Sequence, residues 1–483
     1  MVATRKKAAG HRAHAVQGES GIMDAQEIGL LEQVFSIPLE EGKFLVYAPL
    51  KGVAFIANAA LVNAIAARCR GGNPPAHHDA ALDFLHQLDF FSPEAPPEDA
   101  YAAGGVAYDS VILFLTNQCN LRCSYCYASS GEFAPKRMSW KLAKAAVDQV
   151  MDGILARGGS DMTLGFHGGG EPTMNWPLLT KTVDYTRAKA AENALALSVS
   201  GAFNGYWSAK VRAYMLANFT DISLSFDGLP EVQNRQRPAI GQKQSFDRVA
   251  ETLAALDRSD VSYGVRMTVT RDTVDTLAES VASVCERFRP AKIQVEPVFL
   301  EGRAKEEQAV NDAGAFVEQF IAAHRTAAEY GIELFYSAAR PEALVQRFCL
   351  AACRALVVTT DGDITTCFET YGREHPLSAR FLVGTYGDNR QYQIEQDKLD
   401  RHFSRTADSI PYCRGCFCRW HCAGDCAIKA SASGRVDEFQ PTHRCGITQE
   451  LTKYLILEKI RTSGCLVWQR NAGQGLTPER RQT

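Results

Sequence analysis

The stretch CNLRCSYC puts three cysteines, Cys119, Cys123 and Cys126, on one loop with the spacing Cys-x3-Cys-x2-Cys. Three thiolates held together are a soft donor set suited to iron–sulfur chemistry. They can hold three corners of a [4Fe–4S] cubane and leave the fourth iron without a protein ligand. A metal position the protein leaves open is where chemistry occurs, as in catalytic zinc sites. Tyr125, directly before Cys126, adds an aromatic wall. A zinc site completed by a distant residue such as His167 would use the same thiolates, so the spacing admits either metal.

A second set of cysteines follows: Cys349, Cys353, Cys367, Cys413, Cys416, Cys418, Cys422, Cys426 and Cys445. In a reducing compartment clustered cysteines point to metal rather than to disulfides. The Cys-x2-Cys pair at Cys413 is shared with zinc ribbons, so one or two zinc sites is the competing reading. The region shows little periodic apolar pattern, and bound metal would supply much of its folding free energy. Cys69, Cys285 and Cys465 stand alone and read as small buried apolar residues.

Polar motifs fall between the two sets. GGGEP, Gly168 to Pro172, follows a strand-like run. Its glycines let the backbone approach a ligand, and Glu171 can pair with a cationic amine. FNG (Phe203–Gly205) and SLSFDG (Ser223–Gly228) end later runs and offer Asn204, Ser225 and Asp227. QNRQR (Gln233–Arg237) and Arg266 add cations, Arg266 being a candidate partner for a carboxylate.

Taken together these motifs resemble the radical S-adenosylmethionine (radical SAM) enzymes. CNLRCSYC matches the family signature at every position, and GGGEP is similar to its Gly-Gly-Glu-Pro motif. FNG stands where the family often has Thr-Asn-Gly. QNRQR resembles His-Asp-x-x-Arg, with Gln233 and Asn234 as departures and Arg237 kept. The resemblance implies a SAM-binding [4Fe–4S] cluster on Cys119, Cys123 and Cys126. Tyr125, Gly169, Gly170, Glu171, Asn204, Ser225, Asp227, Arg237 and Arg266 would surround S-adenosyl-L-methionine. Its cleavage gives a radical that abstracts hydrogen. The pattern from Cys413 to Cys445 resembles the SPASM domain of radical SAM peptide modifiers. This implies two auxiliary [4Fe–4S] clusters, one on Cys349, Cys353, Cys367 and Cys426, the other on Cys413, Cys416, Cys422 and Cys445. Cys418 is left without a metal.

The expected function is maturation of a ribosomally made precursor peptide, with a crosslink formed as a thioether or a C–C cyclophane. A base must take the released proton, and Asp425 and Glu369 are the candidates. The expected partners are the precursor with its leader and a reductant such as flavodoxin or ferredoxin. An anaerobic sulfatase-maturing enzyme is the first alternative. That family places Asp directly after the cysteine matching Cys367, where this chain has Phe368. A non-catalytic, zinc-stabilised peptide-binding scaffold is the second alternative.

These residues must be positioned by regular elements. Strand-like runs lie at Val111–Leu115, Met162–Phe166, Leu195–Ser200, Ile222–Phe226, Val265–Thr270 and Lys292–Val298, with helical stretches between them. Such alternation predicts a parallel sheet. Six units are too few for a closed eight-fold barrel, so the fold class is α/β, a partial (β/α)6 barrel over residues 106–335. Its ligands belong at the C-terminal ends of the strands. Upstream, strands Lys43–Ala48 and Val53–Ala57 and helices Leu61–Cys69 and His78–Leu88 predict a small α+β module over 31–105, winged-helix-like by its resemblance to a known element. It resembles the leader-peptide recognition element of peptide maturases, which binds by adding a strand to a sheet edge. Residues 1–30 are expected to be disordered, 336–465 to form the Cys-rich domain, and 466–483 to be a polar tail.

The 483 residues fit two to four domains. A formal net charge of -3 gives no global pull toward nucleic acid or anionic membrane. No apolar run follows the basic N-terminus, and the charge-free stretch Gly52–Ala67 is short of a membrane span. A cytoplasmic protein with no nucleic-acid or membrane partner is expected.

Overall fold

A computed structural model of the chain describes residues 33–72, 79–99, 101, 106–349, 351–432 and 435–463. The stretches expected to be disordered (1–30) and a polar tail (466–483) lie outside these residues, as do Cys465 and His78. Two compact units result, one from the residues up to Glu94 with those from Ile460, the other from Ala95–Lys459.

In the first unit β1 (Phe35–Pro38), β2 (Lys43–Ala48) and β3 (Val53–Asn58) form an antiparallel sheet in that order. A tight turn joins β2 to β3. Gly52, at φ +64°, donates its N–H to Pro49 O at 3.1 Å, a left-handed conformation that suits glycine. The Asn58 side chain accepts from Leu61 N at 2.8 Å and caps α1 (Ala59–Cys69). Val46, Phe55 and Ile65 form the core with Leu82 and Leu85 of α2 (Asp79–Gln87) and with Phe90. β3 has no neighbour on its outer side among the described residues.

In the second unit β4 (Ser110–Leu113), β5 (Asp161–Phe166), β6 (Ala196–Phe203), β7 (Asp221–Ser225), β8 (Ser262–Val269) and β9 (Lys292–Pro297) lie side by side in chain order, all parallel. Helices connect them: α3 (Trp140–Ala156), α4 (Trp176–Glu192), α5 (Ala209–Asn218), α6 (Pro230–Gln236), α7 (Phe246–Leu256) and α8 (Leu277–Arg287). The apolar period of α3 puts Val147, Val150 and Ile154 in the core, and Ser139 caps it by accepting from Leu142 N at 3.4 Å. The strands and helices therefore follow the sequence pattern, except that α6 covers the QNRQ segment.

The sheet continues past the six expected strands. After α9 (Ala313–Glu329), β10 (Glu333–Phe335) pairs in parallel with β9, and β11 (Ala355–Val358) pairs in parallel with β4. β12 (Asp363–Thr365), β13 (Leu382–Tyr386) and β14 (Tyr392–Ile394) then add antiparallel, giving eleven strands. The Cys-rich region is thus not held by metal alone. Its strands are hydrogen-bonded into the main sheet, and its last helix, His443–Ser463, buries Ile447 and Leu451 in the same core. β11 is a run of four buried residues, ALVV, which a buried parallel strand requires and which periodicity cannot reveal.

Candidate active site

The cysteine loop leaves the C-terminal end of β4, and the GGGEP turn leaves β5 beside it. The glycines are required by contact. A Cβ on Gly170 would fall 2.2 Å from Gln118 O, and one on Gly168 would fall 2.4 Å from the Phe114 ring. Glu171 N donates to Gln118 O at 2.9 Å, and the Ser130 hydroxyl donates to Gly169 O. The two loops are therefore sewn together.

Cys119, Cys123 and Cys126 lie in one cluster with Tyr125, Leu121, Ala239 and Tyr206. Cys119 Sγ accepts from Leu121 N at 3.4 Å and from Asn204 Nδ2 at 3.6 Å. Burial, then the neighbouring Cys123 and Glu171, push the Cys119 thiol up to about 12, and burial pushes Cys123 to about 11. Buried thiols that oppose one another's ionisation fit a site where bound iron takes up the thiolate charge. The N–H donors aimed at Cys119 are the usual neighbours of a cluster sulfur. No three His, Cys, Asp or Glu side chains among the described residues converge on a single ion position. His167 stacks on Phe368 at 4.6 Å, and its Nδ1 is buried without a hydrogen-bond partner.

Behind the loop lies a buried polar network. Tyr125 OH donates to Asp227 Oδ2 at 2.6 Å and accepts from Arg237 Nη1 at 2.8 Å. Asp227 also accepts from Gln236 Nε2 (2.9 Å) and Thr268 N (3.1 Å). Burial raises its carboxyl, against Arg237 and Tyr125, which lower it. The two departures from the family motif have work of their own. Gln233 Oε1 accepts from Asp227 N at 2.9 Å, and Asn234 Oδ1 accepts from Ser245 N and Phe246 N at the start of α7.

Both Glu171 oxygens are engaged within the protein. They accept from Asn204 N (2.8 Å), Thr173 Oγ1 (2.7 Å) and Trp207 Nε1 (3.3 Å), so Glu171 fixes the turn that carries Asn204. Ser225 and Arg266 are register partners on β7 and β8. The charge of Arg266 acts on His167 and Tyr127.

The two candidate bases differ sharply. Asp425 is 3% exposed and is gripped by Arg444, whose Nε donates at 2.6 Å and Nη2 at 3.2 Å. Burial pushes its carboxyl up, but the charge and hydrogen bonds of Arg444 outweigh that and hold it below the ordinary value. Arg444 also reaches Glu296 Oε2 on β9 at 3.4 Å. Asp425 is therefore part of a buried Asp–Arg–Glu triad between the Cys-rich region and the sheet. Arg444→Met is expected to cost about 3–5 kcal/mol, because two carboxylates are left buried and unpaired. Chemical denaturation measures this, and a change within 1 kcal/mol would contradict it. Glu369 is different. Its Oε1 lies 3.3 Å from Lys429 Nζ, and its Oε2 is buried without a partner. Glu369 acts electrostatically on Tyr127, the residue after Cys126, and Tyr127 OH reaches Phe368 O at 3.5 Å.

The second cysteine set also gathers. The Cys367 thiol is raised by burial and then by Glu369, Cys426 and Cys349, and Cys353 lies beside Cys349. Cys413 is raised to about 12 by burial, Cys416 and Cys445, and Cys422 responds to Cys416, Cys445 and Cys413 as well. Cys418 is buried behind Cys416, and its hydrogen bond draws the Cys416 thiol down to about 7. Gln449 Nε2 donates to the same sulfur at 3.6 Å. Among the lone cysteines, Cys285 is fully buried and Cys69 half-buried. Sequence reasoning missed Lys429, Arg444 and Glu296, whose partners are distant in the chain and follow no local pattern.

Residues 113–284 match the family model of the Radical SAM superfamily. The sporulation killing factor maturation protein SkfB of Bacillus subtilis is 28% identical over 177 residues, 36% of this chain and 38% of that protein. The pre-heme d1 synthase of Dinoroseobacter shibae is 25% identical over 223 residues, 46% of this chain and 51% of that one. The chain thus spans about half or less of the length of these two relatives. A solved structure of native anSMEcpe with bound AdoMet and Cp18Cys peptide shares the fold, with a TM-score of 0.56 at 16% identity, covering 74% of this chain and 99% of that one. The matched span begins at the end of β4 and contains the cysteine loop and the GGGEP turn, so this part of the chain is similar to the radical SAM domain.

Proposed function

We propose that the protein is a radical SAM enzyme that crosslinks a ribosomally made precursor peptide. The observation that carries this reading is the placement of Glu369. It sets a carboxylate held by Lys429, with one oxygen left without a hydrogen-bond partner, two residues after Cys367. In this reading Cys119, Cys123 and Cys126 hold the SAM-binding cluster. Cys349, Cys353, Cys367 and Cys426 hold one auxiliary cluster, and Cys413, Cys416, Cys422 and Cys445 the other. When bound, the first cluster with SAM supplies a hydrogen-abstracting radical, and the auxiliary clusters supply an acceptor for the second electron.

The chain's own residues do the rest. Asn204 and the loop amides stabilise Cys119, Asp227 and Arg237 hold Tyr125, and Arg266 offers its cation to a carboxylate. Glu369 Oε2 takes the proton that leaves the substrate when the crosslink closes, with Lys429 holding the carboxylate in place. Phe368 is packed on His167, so the position directly after Cys367 offers no base and Glu369 fills that role. SkfB is named as a maturation protein and another relative as a pre-heme synthase, so the domain alone admits several substrates. The three-stranded unit, whose β3 edge has no partner strand among the described residues, favours a peptide, since a leader can add there as a further strand.

Incubating the reduced protein with precursor peptides and SAM tests the reading. A product lighter by a pair of hydrogens supports it, and SAM cleavage with no peptide product across leader-bearing precursors counts against it. Ile56, exposed on β3, belongs to the proposed leader site. Ile56→Asp is expected to weaken precursor binding by about tenfold, measured by fluorescence anisotropy. Unchanged affinity would remove β3 from the leader site.

A further inference from the structure

The loop that follows β9 reaches the cysteine loop that follows β4, although four strands separate β4 from β9 in the sheet. Gly302, at φ +61°, lies so close that a Cβ would fall 2.3 Å from the carbonyl oxygens of both Cys126 and Tyr127. Arg303 then engages the loop along its length. Its N–H donates to Cys126 O at 3.0 Å, its Nε to Cys123 O at 2.9 Å and its Nη1 to Ser130 O at 3.2 Å. Nη1 also pairs with Glu132 Oε1 at 2.8 Å, and the Arg303 side chain is only 16% exposed. The residue before them is anchored separately. Glu301 Oε1 lies 2.7 Å from His375 Nε2, while His375 Nδ1 accepts from Leu377 N at 3.1 Å. With Nδ1 accepting from Leu377, Nε2 is the ring nitrogen that faces Glu301.

We propose that Glu301–Arg303 is a latch tying the loop after β9 to the cysteine loop after β4 at the first cluster, with Arg303 as its positioning residue. By holding the carbonyls of Cys123, Cys126 and Ser130, Arg303 keeps the three thiols facing one cubane. A glutamine at this position would lose the fork that spans Cys123 and Ser130. A lysine would keep the charge but reach only one of the two carbonyls. The inference rests on the cluster assignment above, so its test has one arm that needs no cluster.

In the first arm the metal-free full chain is compared with R303Q by amide hydrogen exchange. Exchange over residues 119–130 is expected to rise at least about tenfold in R303Q, with the sheet core unchanged. Unchanged exchange in that loop would overturn the latch. In the second arm the reconstituted proteins are reduced and challenged with an iron chelator while electron paramagnetic resonance is followed. The signal that SAM perturbs should decay at least about tenfold faster in R303Q, with R303K between it and the parent. The remaining iron–sulfur signals should decay as in the parent. Parallel loss of every signal would overturn the proposal, because Arg303 would then support the fold at large. Faster loop exchange in R303Q, where the parent itself shows no SAM-sensitive signal, would uphold the latch and sink the cluster assignment instead.

Discussion

Replacing Cys126 with alanine is expected to abolish production of 5′-deoxyadenosine and to lower bound iron from about twelve to about eight per chain, the loss of one [4Fe–4S] cluster. Cys119→Ala and Cys123→Ala should behave alike, since a cubane with two protein thiolates is not retained. The second cysteine set lies between Cys349 and Cys445, outside the cysteine loop. The auxiliary signals should therefore survive these replacements. Iron analysis, resonance spectra and mass spectrometry of the nucleoside read all three outcomes. Persistent cleavage in all three variants would place the reactive cluster elsewhere.

Glu369→Gln is expected to separate cofactor cleavage from peptide modification. The glutamine keeps the shape but cannot take a proton, and losing a positioned base costs about 10²–10⁴-fold. Crosslinked peptide should fall by that factor while 5′-deoxyadenosine is still made. Asp425→Asn, by contrast, acts on the buried triad with Arg444, so it should lower stability without a selective loss of peptide product. If the ratio of product to 5′-deoxyadenosine were unchanged in Glu369→Gln, the base would have to be another residue.

These expectations draw unequally on what the sequence reveals. The cysteine loop is legible because its three thiols follow one another at local spacing. The strands from β4 to β9 are legible because their apolar runs alternate with helical stretches, two of which carry a serine cap, Ser139 for α3 and Ser208 for α5. The strands from β10 to β14 have three to five residues each and lack an extended alternating pattern. Their place in the sheet comes from pairing with β9 and β4, which sequence does not display. Glu171 and Asp425 show the same limit at the site. Both look like free carboxylates beside cofactor residues. Only the fold shows Trp207, Thr173 and Asn204 filling the first, and Arg444 neutralising the second. Arg303 carries no motif, and its importance arises wholly from a contact with residues some 180 positions earlier.

The most direct test of the central claim is anaerobic reconstitution of the full chain with iron and sulfide, followed by reduction with dithionite in the presence of SAM. About twelve irons per chain, the sum of three [4Fe–4S] clusters, together with 5′-deoxyadenosine detected by mass spectrometry, is the predicted result. Zinc bound in place of iron, with SAM left intact, would contradict it and leave a metal-stabilised peptide-binding protein.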